Sequence, residues 1–188
     1  MFTGGIAGIN YGSIINTKAT VVFQPEAYDT FGGITGWNLG EIIRSSAHVE
    51  INGGYQGIGG IAGWNDSGLI EDCYATGQIH AKTFMGGLTG GSNGIVKNSY
   101  STVAITTETG PSNFGGLIGS LWDTPEVTNS YWDTQTSFLA ISPGGGEGKT
   151  TSEMKNINTY VDWDFEDVWA ISPEINNGYP YLRALSDY

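Results

Sequence analysis

The stretch Gly59-Gly60-Ile61-Ala62-Gly63 decides the fold, because close copies of it recur along the first two thirds of the chain. The copies occupy residues 4–8, 32–36, 86–90 and 115–119, and all keep the order Gly-Gly, aliphatic, any residue, Gly. Their first glycines are 28, 27, 27 and 29 residues apart. A fixed period of roughly 20 to 50 residues is typical of stacked repeat proteins. The sequence therefore predicts an array of about five repeated coils.

A second set of columns, about ten residues after each Gly-Gly pair, favours strands over helices. The third copy there reads Glu71-Asp72-Cys73-Tyr74-Ala75-Thr76. Short runs rich in Thr, Val and Tyr, bounded by Gly, Asn and Ser, are strand signals. A unit of this length cannot bury its apolar side alone, so successive units must stack in parallel at a strand spacing of about 4.8 Å. We therefore expect an all-β fold, a β-solenoid.

The aligned copies predict ladders of equivalent side chains along the body. One inward ladder is Ile6, Ile34, Ile61, Leu88 and Leu117. A second apolar column is predicted at Ile14, Ile42, Leu69 and Ile95, with Glu126 breaking it in the last copy. An asparagine ladder that holds a turn is expected at Asn10, Asn38 and Asn65. Cys73 is interpreted as a small packing residue in a column with Thr17, Ser46, Ser99 and Ser130.

Composition limits the function classes. The 188 residues carry 19 acidic and 7 basic side chains, a net charge of −12, which argues against a nucleic-acid backbone as partner. A single cysteine excludes an intramolecular disulfide framework and a multi-cysteine zinc site. No run is apolar and long enough to cross a bilayer, and because the first residues have no basic region or apolar core, no signal peptide is expected in this sequence. We expect either a piece of a longer secreted protein or a short protein whose open first coil invites another chain.

A composition change after about residue 138 predicts a second unit, so the solenoid is expected over 1–138 and a carboxy-terminal cap over 139–188. Residues 142–148 are interpreted as a flexible connection. Thr150 and Glu153 match a capping box, which predicts one short helix to about Asn158 with Met154 and Ile157 on its apolar face. The plug that closes the core is expected to consist of Trp163, Phe165, Val168, Trp169, Ile171, Tyr179, Tyr181 and Leu182.

These residues carry a family resemblance. The repeated Gly-Gly-Leu/Ile-x-Gly, the run from Ile70 to Gly77 and the closing Asn129-Ser130-Tyr131-Trp132-Asp133 resemble the GLUG repeat, and Trp163-Asp164-Phe165, Trp169 and Tyr179-Pro180-Tyr181-Leu182 resemble its usual carboxy-terminal sequence. The repeat is found in large secreted and surface-anchored bacterial proteins, including filamentous haemagglutinin-like adhesins and non-catalytic regions of IgA-cleaving peptidases. The resemblance implies a right-handed parallel β-helix at the cell surface, used as a stalk or adhesive module without defined catalytic residues. Lys18 and Ala47 stand where the column tyrosine is expected.

An enzyme is the less favoured interpretation, although parallel β-helices also host polysaccharide lyases and hydrolases. A hydrolase needs two carboxylates about 5 to 10 Å apart. Glu71 and Asp72 are adjacent in sequence and are expected to face different ways, which leaves Asp123, Glu126 and Asp133 on the last coil as the closer candidates. The few basic residues show no lyase arrangement, and His48 and His80 are expected at the surface or rim. No His-Glu-x-x-His zinc motif occurs.

Two columns of aromatic residues are candidates for ligand binding. Tyr74, Tyr100 and Tyr131 share one column, and Trp37 and Trp64 share another. Stacked aromatic side chains with polar neighbours can dock sugar rings or protein side chains. The alternative is that they stabilise the coils by packing on one another. The expected partner is therefore a glycan or a protein surface, or a further copy of the chain bound through the first coil.

The cap carries one further candidate, the acidic residues Asp162, Asp164, Glu166 and Asp167. Carboxylates on a loop can bind calcium, which takes six to eight oxygen ligands. The run lacks the spacing and glycine of a calcium loop, so we expect a solvated acidic edge and no metal or cofactor. Three function classes stay open: an adhesive or stalk module, a self-assembling subunit and a polysaccharide-active enzyme. The first is the one we expect.

Overall fold

The chain winds into stacked coils, each built from four short strands except the fourth, which has five. A computed structural model describes residues 1–24, 29–107, 113–121 and 125–186. The first coil contains β1 (Phe2–Gly4), β2 (Ala7–Asn10), β3 (Ser13–Ile15) and β4 (Lys18–Phe23). The second contains β5 (Thr30–Gly32), β6 (Thr35–Asn38), β7 (Glu41–Ile43) and β8 (Ser46–Asn52). The third contains β9 (Ile58–Gly59), β10 (Ala62–Asn65), β11 (Leu69–Glu71) and β12 (Tyr74–His80).

The later coils follow the same order. The fourth contains β13 (Met85–Gly86), β14 (Thr89–Ser92), β15 (Ile95–Lys97), β16 (Tyr100–Ser101) and β17 (Ala104–Thr106). The fifth contains β18 (Phe114–Gly115), β19 (Ile118–Leu121), β20 (Glu126–Thr128) and β21 (Tyr131–Asp133). It ends in helix α1 (Thr134–Ser137) instead of returning to the first sheet. The body therefore has about four turns, slightly fewer than the five coils predicted by counting copies.

Equivalent strands of successive coils pair in parallel to form four sheets. The first holds β1, β5, β9, β13 and β18; the second β2, β6, β10, β14 and β19; the third β3, β7, β11, β15 and β20. The fourth holds β4, β8, β12, β16 and β21, followed by β22 (Glu147–Lys149), with β17 beside β12. The all-β solenoid expected from the repeats is confirmed.

The first predicted inward ladder is confirmed where coils lie on both sides of it. Ile34, Ile61, Leu88 and Leu117 are fully buried. Ile6 of the same ladder is 51% exposed, because no coil among the described residues lies beyond the first. The glycines beside this ladder leave no room for side chains: a Cβ on Gly60 would stand 2.3 Å from the Cβ of Ala75. The Gly-Gly pair is thus required by close packing across the core.

In the second predicted column, the residues assigned after the second coil each lie one position too early in the sequence. Ile14 and Ile42 share a ladder with Ile70, Val96 and Val127, in which the three middle residues are fully buried and the two end residues are partly buried. Leu69 and Ile95 pair instead with Glu41 and Glu126 on the outer side. A shift of one residue moves a side chain to the other face of a strand. Glu126 therefore does not break the core, since it lies in a column that faces outward.

A corner of left-handed backbone separates the third sheet from the fourth in every coil. Asn16, Arg44, Asp72, Asn98 and Asn129 have φ values between 45° and 51° there. Asn and Asp tolerate this conformation better than most residues. The following residue is Thr, Ser or Cys, and its side chain donates to the carbonyl two residues earlier, as Ser99 Oγ does to Lys97 O at 2.8 Å. Where this residue is Ser, its oxygen also accepts a hydrogen bond from the backbone N–H of the equivalent residue in the preceding coil. Cys73 N, for example, donates to Ser99 Oγ at 3.0 Å.

Cys73 occupies this hydroxyl column and is fully buried, as a small packing residue should be. Its partner in the column is Ser45, not Ser46, because Tyr74 pairs with Ser46. The same register places Ser46, not Ala47, in the tyrosine column. Burial raises the pKa of the Cys73 thiol, so the group stays protonated and Sγ donates weakly to Glu71 O at 3.2 Å.

The asparagine ladder is confirmed. Asn10 Nδ2 donates to Asn38 Oδ1 at 2.8 Å, and Asn38 Nδ2 donates to Asn65 Oδ1 at 2.8 Å. The ladder ends at Ser92, whose Oγ accepts from Asn65 Nδ2 at 3.2 Å. Because all three asparagines are buried, each amide needs these partners.

The carboxy-terminal end of the core is closed by Trp132 and a glycine run. Trp132 stands above Ser101, Ala75, Ala47 and Ala19 in one inward column and is 5% exposed. Its Nε1 donates to Leu139 O at 3.0 Å. Residues 144–146 lie on the last coil: a Cβ on Gly144 would stand 2.1 Å from Ile118 Cγ2, and one on Gly146 would stand 2.6 Å from Leu117 Cδ2. The segment predicted to be a flexible connection therefore packs against the last coil and covers the end of the core.

The remaining elements form the cap: α2 (Thr151–Met154), β23 (Trp169–Ala170), β24 (Tyr181–Leu182) and three 3-10 turns, Ile157–Thr159, Asn176–Gly178 and Arg183–Leu185. The capping box is confirmed, because Thr150 N donates to Glu153 Oε2 and Glu153 N donates to Thr150 Oγ1. The helix is shorter than predicted, because Asn156 begins a new turn by accepting from Asn158 N. Met154 is buried, whereas Ile157, predicted on the same apolar face, is 44% exposed. Over the described residues α2 is the α-helix of the cap, as predicted, and α1 is a second short helix that precedes it.

The cap does not plug the end of the solenoid, contrary to prediction. Its aromatic cluster packs on the outer face of the fourth sheet, and it is separate from the core cluster. Trp163, Trp169, Tyr179 and Leu182 belong to this outer cluster. Within the described ranges, no helix is long and apolar enough to span a membrane.

Candidate binding surfaces

The tyrosine column lies in register on the outer face of the fourth sheet. Tyr74 pairs with Tyr100, and Tyr100 pairs with Tyr131. The rings of Tyr74 and Tyr100 are parallel, with centroids 5.2 Å apart and an angle of 5° between planes. Tyr100 also stacks with Tyr179 of the cap at 6.3 Å. Tyr100 is fully buried and Tyr131 is 4% exposed.

This burial argues against Tyr100 and Tyr131 as ligand-binding residues. The cap covers Tyr100 and Tyr131, so neither can contact a ligand while the cap is docked. Tyr100 OH donates to Pro180 O at 2.6 Å and accepts from Asn176 Nδ2 at 2.7 Å. Burial raises the pKa of Tyr100, so the phenol stays a neutral donor. Tyr74 is only half-buried and lies at the edge of the cap.

The tryptophan column lies in the second sheet, where Trp37 pairs with Trp64. Trp37 is half-buried, and Phe2 meets it edge-on with centroids 4.6 Å apart. Trp64 is 5% exposed and has Phe84 at 5.8 Å. Trp64 also fills the space of a missing side chain, because a Cβ on Gly91 would stand 2.0 Å from its Cζ3. These four rings line a groove of about 370 Å³ whose polar groups come from Thr30 and Gln56.

The carboxylates considered for catalysis have structural partners. Asp133 is fully buried: Oδ1 accepts from Gln135 N at 2.8 Å and Thr136 N at 3.1 Å. Its Oδ2 accepts from Thr151 Oγ1 at 2.7 Å and Tyr179 OH at 2.6 Å. Burial, aided by the bond to the Asp133 carboxylate, raises the pKa of Tyr179. Asp133 thus caps α1 and fastens the cap.

Asp72 has a similar role in the third coil. Trp169 Nε1 of the cap donates to Asp72 Oδ1 at 3.1 Å. Burial raises the pKa of Asp72, and the nearby charge of Glu71 acts in the same direction. Glu71 itself forms an ion pair with Lys97 at 2.9 Å. Glu126 is exposed in an outer column, and Asp123 lies outside the described residues.

The histidines lie on the outer face of the fourth sheet. His48 Nδ1 is 3.0 Å from Thr76 Oγ1, and His80 Nδ1 is 2.9 Å from Thr106 Oγ1. In the cap, Asp162, Asp164, Glu166 and Asp167 are all exposed. Asp164 Oδ1 accepts from Glu166 N and Asp167 N, which closes a local turn. Over the ranges that the structure describes, no three His, Cys, Asp or Glu side chains are arranged to hold a metal ion.

From the sequence, Asp133 and Asp72 were considered only as catalytic candidates, and their role in holding the cap was missed. One signal was available for Asp133, since it precedes Thr134-Gln135-Thr136 as an N-cap residue would. No signal pointed to the 97-residue separation between Asp72 and Trp169, because nothing in the cap repeats the solenoid columns.

Comparison with known proteins agrees with this architecture. Residues 54–79 match the GLUG motif, and they cover the third coil. The fold is similar to the solved structure of a protein from Bacteroides ovatus described as a putative immunoglobulin A1 protease. The TM-score is 0.56 at 18% identity, over 92% of this chain and 75% of that chain, a likeness that concerns the fold alone. No curated protein sequence matches the chain.

Proposed function

We propose that this GLUG-motif solenoid is a non-catalytic module of a secreted or surface protein, which serves as a stalk and binds a glycan or protein surface. The observation that carries the proposal is the aromatic groove of Phe2, Trp37, Trp64 and Phe84 in the second sheet. Aromatic faces beside polar groups suit a sugar ring or an apolar side chain. The name of the similar Bacteroides protein and the usual setting of the motif favour an extracellular location.

The partners of the carboxylates support a non-catalytic role. A glycoside hydrolase needs one carboxylic acid and one free carboxylate on the two sides of a bond. Asp133 is fully buried and accepts four hydrogen bonds, and Asp72 is held by Trp169. Both therefore support the attachment of the cap.

The test is a glycan array probed with the chain and with Trp37→Ala. Trp37 is half-buried, so its removal takes away a ring face with little loss of core packing. Loss of one aromatic face is expected to weaken a bound glycan about tenfold or more. Tyr11→Ala is the matched control, because Tyr11 is 77% exposed outside the groove. Equal binding by Trp37→Ala and the unaltered chain would assign the interaction to another surface.

A further inference from the structure

The tyrosine column of the fourth sheet stops before the sheet does. Register places Ser46 next to Tyr74 and Lys18 next to Ser46. Tyr74 stacks on Tyr100 with one face, so its other face points along the column toward Ser46 and Lys18. The distance from the Tyr74 strand to the Lys18 strand is two strand spacings, about 10 Å. One ring fits between them in place of the next tyrosine.

The cap forms the outer wall of this space. Residues 175–186 run along the open side of the column, and Leu182 and Asn176 line the space together with Lys18, Ser46, His48 and Tyr74. The resulting groove has a volume of about 290 Å³. It is a mixed surface, lined by the Tyr74 ring of the sheet, by apolar cap side chains such as Leu182, and by polar groups from both walls.

The charge in the groove comes from Lys18. Its ammonium forms no ion pair with any residue in the described part of the chain, although the protein carries a net charge of −12. A cation without an ion-pair partner among the described residues attracts anions to the groove. The charge complementarity therefore points to a ligand with a carboxylate or similar group.

The polar groups favour a sugar over an aromatic acid. Asn176 uses Nδ2 for Tyr100 OH and Pro180 O, and its Oδ1 has no partner among the residues described. The Thr76 hydroxyl meets His48 Nδ1 at 3.0 Å and has further capacity for a hydrogen bond. An aromatic ring would leave these groups without partners, whereas sugar hydroxyls satisfy them.

We propose that the groove between the cap and the fourth sheet binds an acidic sugar, its ring on the free face of Tyr74 and its carboxylate on Lys18. Sugar hydroxyls donate to Asn176 Oδ1 and bond to Thr76. The inference rests on the proposed glycan-binding role, but it assigns a second site that shares no residue with the Trp37 groove. The proposal also explains why the tyrosine column stops at Tyr74, since a fourth tyrosine at position 46 would fill the groove.

The experiment compares methyl glucuronide with methyl glucoside, which differ by the carboxylate, in titrations followed by saturation-transfer NMR. The unaltered chain is expected to bind the glucuronide at least about tenfold more tightly, as one charge-assisted contact provides. Lys18→Gln is expected to remove that preference and leave the glucoside unaffected. Lys82→Gln is the matched control, because it makes the same charge change beside Tyr55, away from the groove.

A second variant tests the space itself. Ser46→Tyr extends the tyrosine column into the groove and should abolish binding of both sugars. An unchanged unfolding midpoint shows that this variant is folded. If the variant does not fold, Lys18→Gln still tests the site independently. The proposal is overturned if neither sugar binds, if Lys82→Gln weakens glucuronide as much as Lys18→Gln does, or if benzoate binds in place of glucuronide. Trp37→Ala separates the two sites: it should leave glucuronide binding unchanged even if the groove in the second sheet binds nothing.

Discussion

At the scale of single residues, the corner between the third and fourth sheets requires a left-handed backbone conformation, and this requirement limits which side chains suit it. Each coil places one residue there with φ near +50°, and three of the five are asparagine. Asparagine adopts this backbone conformation at low cost because its short amide bonds locally. Asp72 is the acidic exception, and it is buried against Trp169. Its charge is therefore a cost of this position that an amide would avoid.

Asp72→Asn is expected to stabilise the protein at neutral pH. Burial raises the pKa of Asp72 above 3.8, so the folded state disfavours the carboxylate, and its contribution to stability falls as pH rises from 3.8 through the folded pKa. The amide keeps an oxygen for Trp169 Nε1 and carries no charge. We expect a gain of roughly 0.5 to 2 kcal/mol in the free energy of unfolding at pH 7. Thermal unfolding followed by circular dichroism measures it.

The control is Asn16→Asp, at the exposed equivalent position of the first coil, which should leave the midpoint unchanged. The gain from Asp72→Asn should also vanish below pH 3.8, where the carboxyl is protonated in both states. A gain of equal size at pH 3 and pH 7 would contradict the electrostatic explanation and point to backbone preference alone.

At the scale of elements, the last coil differs from the others by one large side chain. Trp132 replaces the small residues Ala19, Ala47, Ala75 and Ser101 of its column. Small residues are needed where another coil follows, because a Cβ on Gly60 already meets Ala75. A tryptophan fits only where the stack ends, and there it replaces the missing coil.

Trp132→Ala is therefore expected to lower the free energy of unfolding by about 3 to 5 kcal/mol, as loss of a buried tryptophan does. Urea unfolding followed by circular dichroism gives the value. Ile141→Ala is the matched control: Ile141 is 65% exposed in the same end segment, and its loss should change stability by less than about 0.5 kcal/mol. Similar effects of the two changes would show that Trp132 is not the end plug.

The repeated elements could be predicted from sequence because each column is sampled several times. Five aligned Gly-Gly pairs gave the solenoid, and Asn10, Asn38 and Asn65 gave their ladder correctly. The register slip at Leu69 arose because the connection before it is three residues long, where the first two coils have two. The cap occurs once, so its docking on the fourth sheet had no internal comparison. For the same reason, the sequence did not show that the cap covers Tyr100 and Tyr131.

At the scale of the whole molecule, the cap and the solenoid are joined by an aromatic cluster and a few buried hydrogen bonds. Tyr179 reaches Asp133, Trp169 reaches Asp72, and Tyr100 reaches the backbone of Pro180. The solenoid has its own ladders, which do not depend on these contacts. Regions with separate contacts open with separate free energies. The cap should therefore be able to detach while the coils stay folded.

Tyr179→Phe tests this independence. It removes one charge-assisted hydrogen bond from Asp133 Oδ2, which keeps the Thr151 hydroxyl, and should weaken cap docking by about 1.5 to 3 kcal/mol. Hydrogen exchange should become faster across residues 150–186 and stay unchanged in β5 to β16. Tyr181→Phe is the control, since Tyr181 is half-buried in the cap and contributes no side-chain bond to Asp133. Faster exchange throughout the coils would mean that body and cap open as one unit.

The connections between sheets differ in how much their length varies from coil to coil. The first and second sheets are always joined by two residues, and so are the third and fourth. The connection from the fourth sheet back to the first has six, five, four and seven residues in successive turns, at 24–29, 53–57, 81–84 and 107–113. Foreign peptides inserted at 53–57 and 81–84, which both lead from the fourth sheet to the first, would emerge at the same corner of successive coils, about 4.8 Å apart. The chain therefore has the organisation of a display scaffold: its sheets keep a fixed register, while one connection in each coil accepts different lengths and sequences.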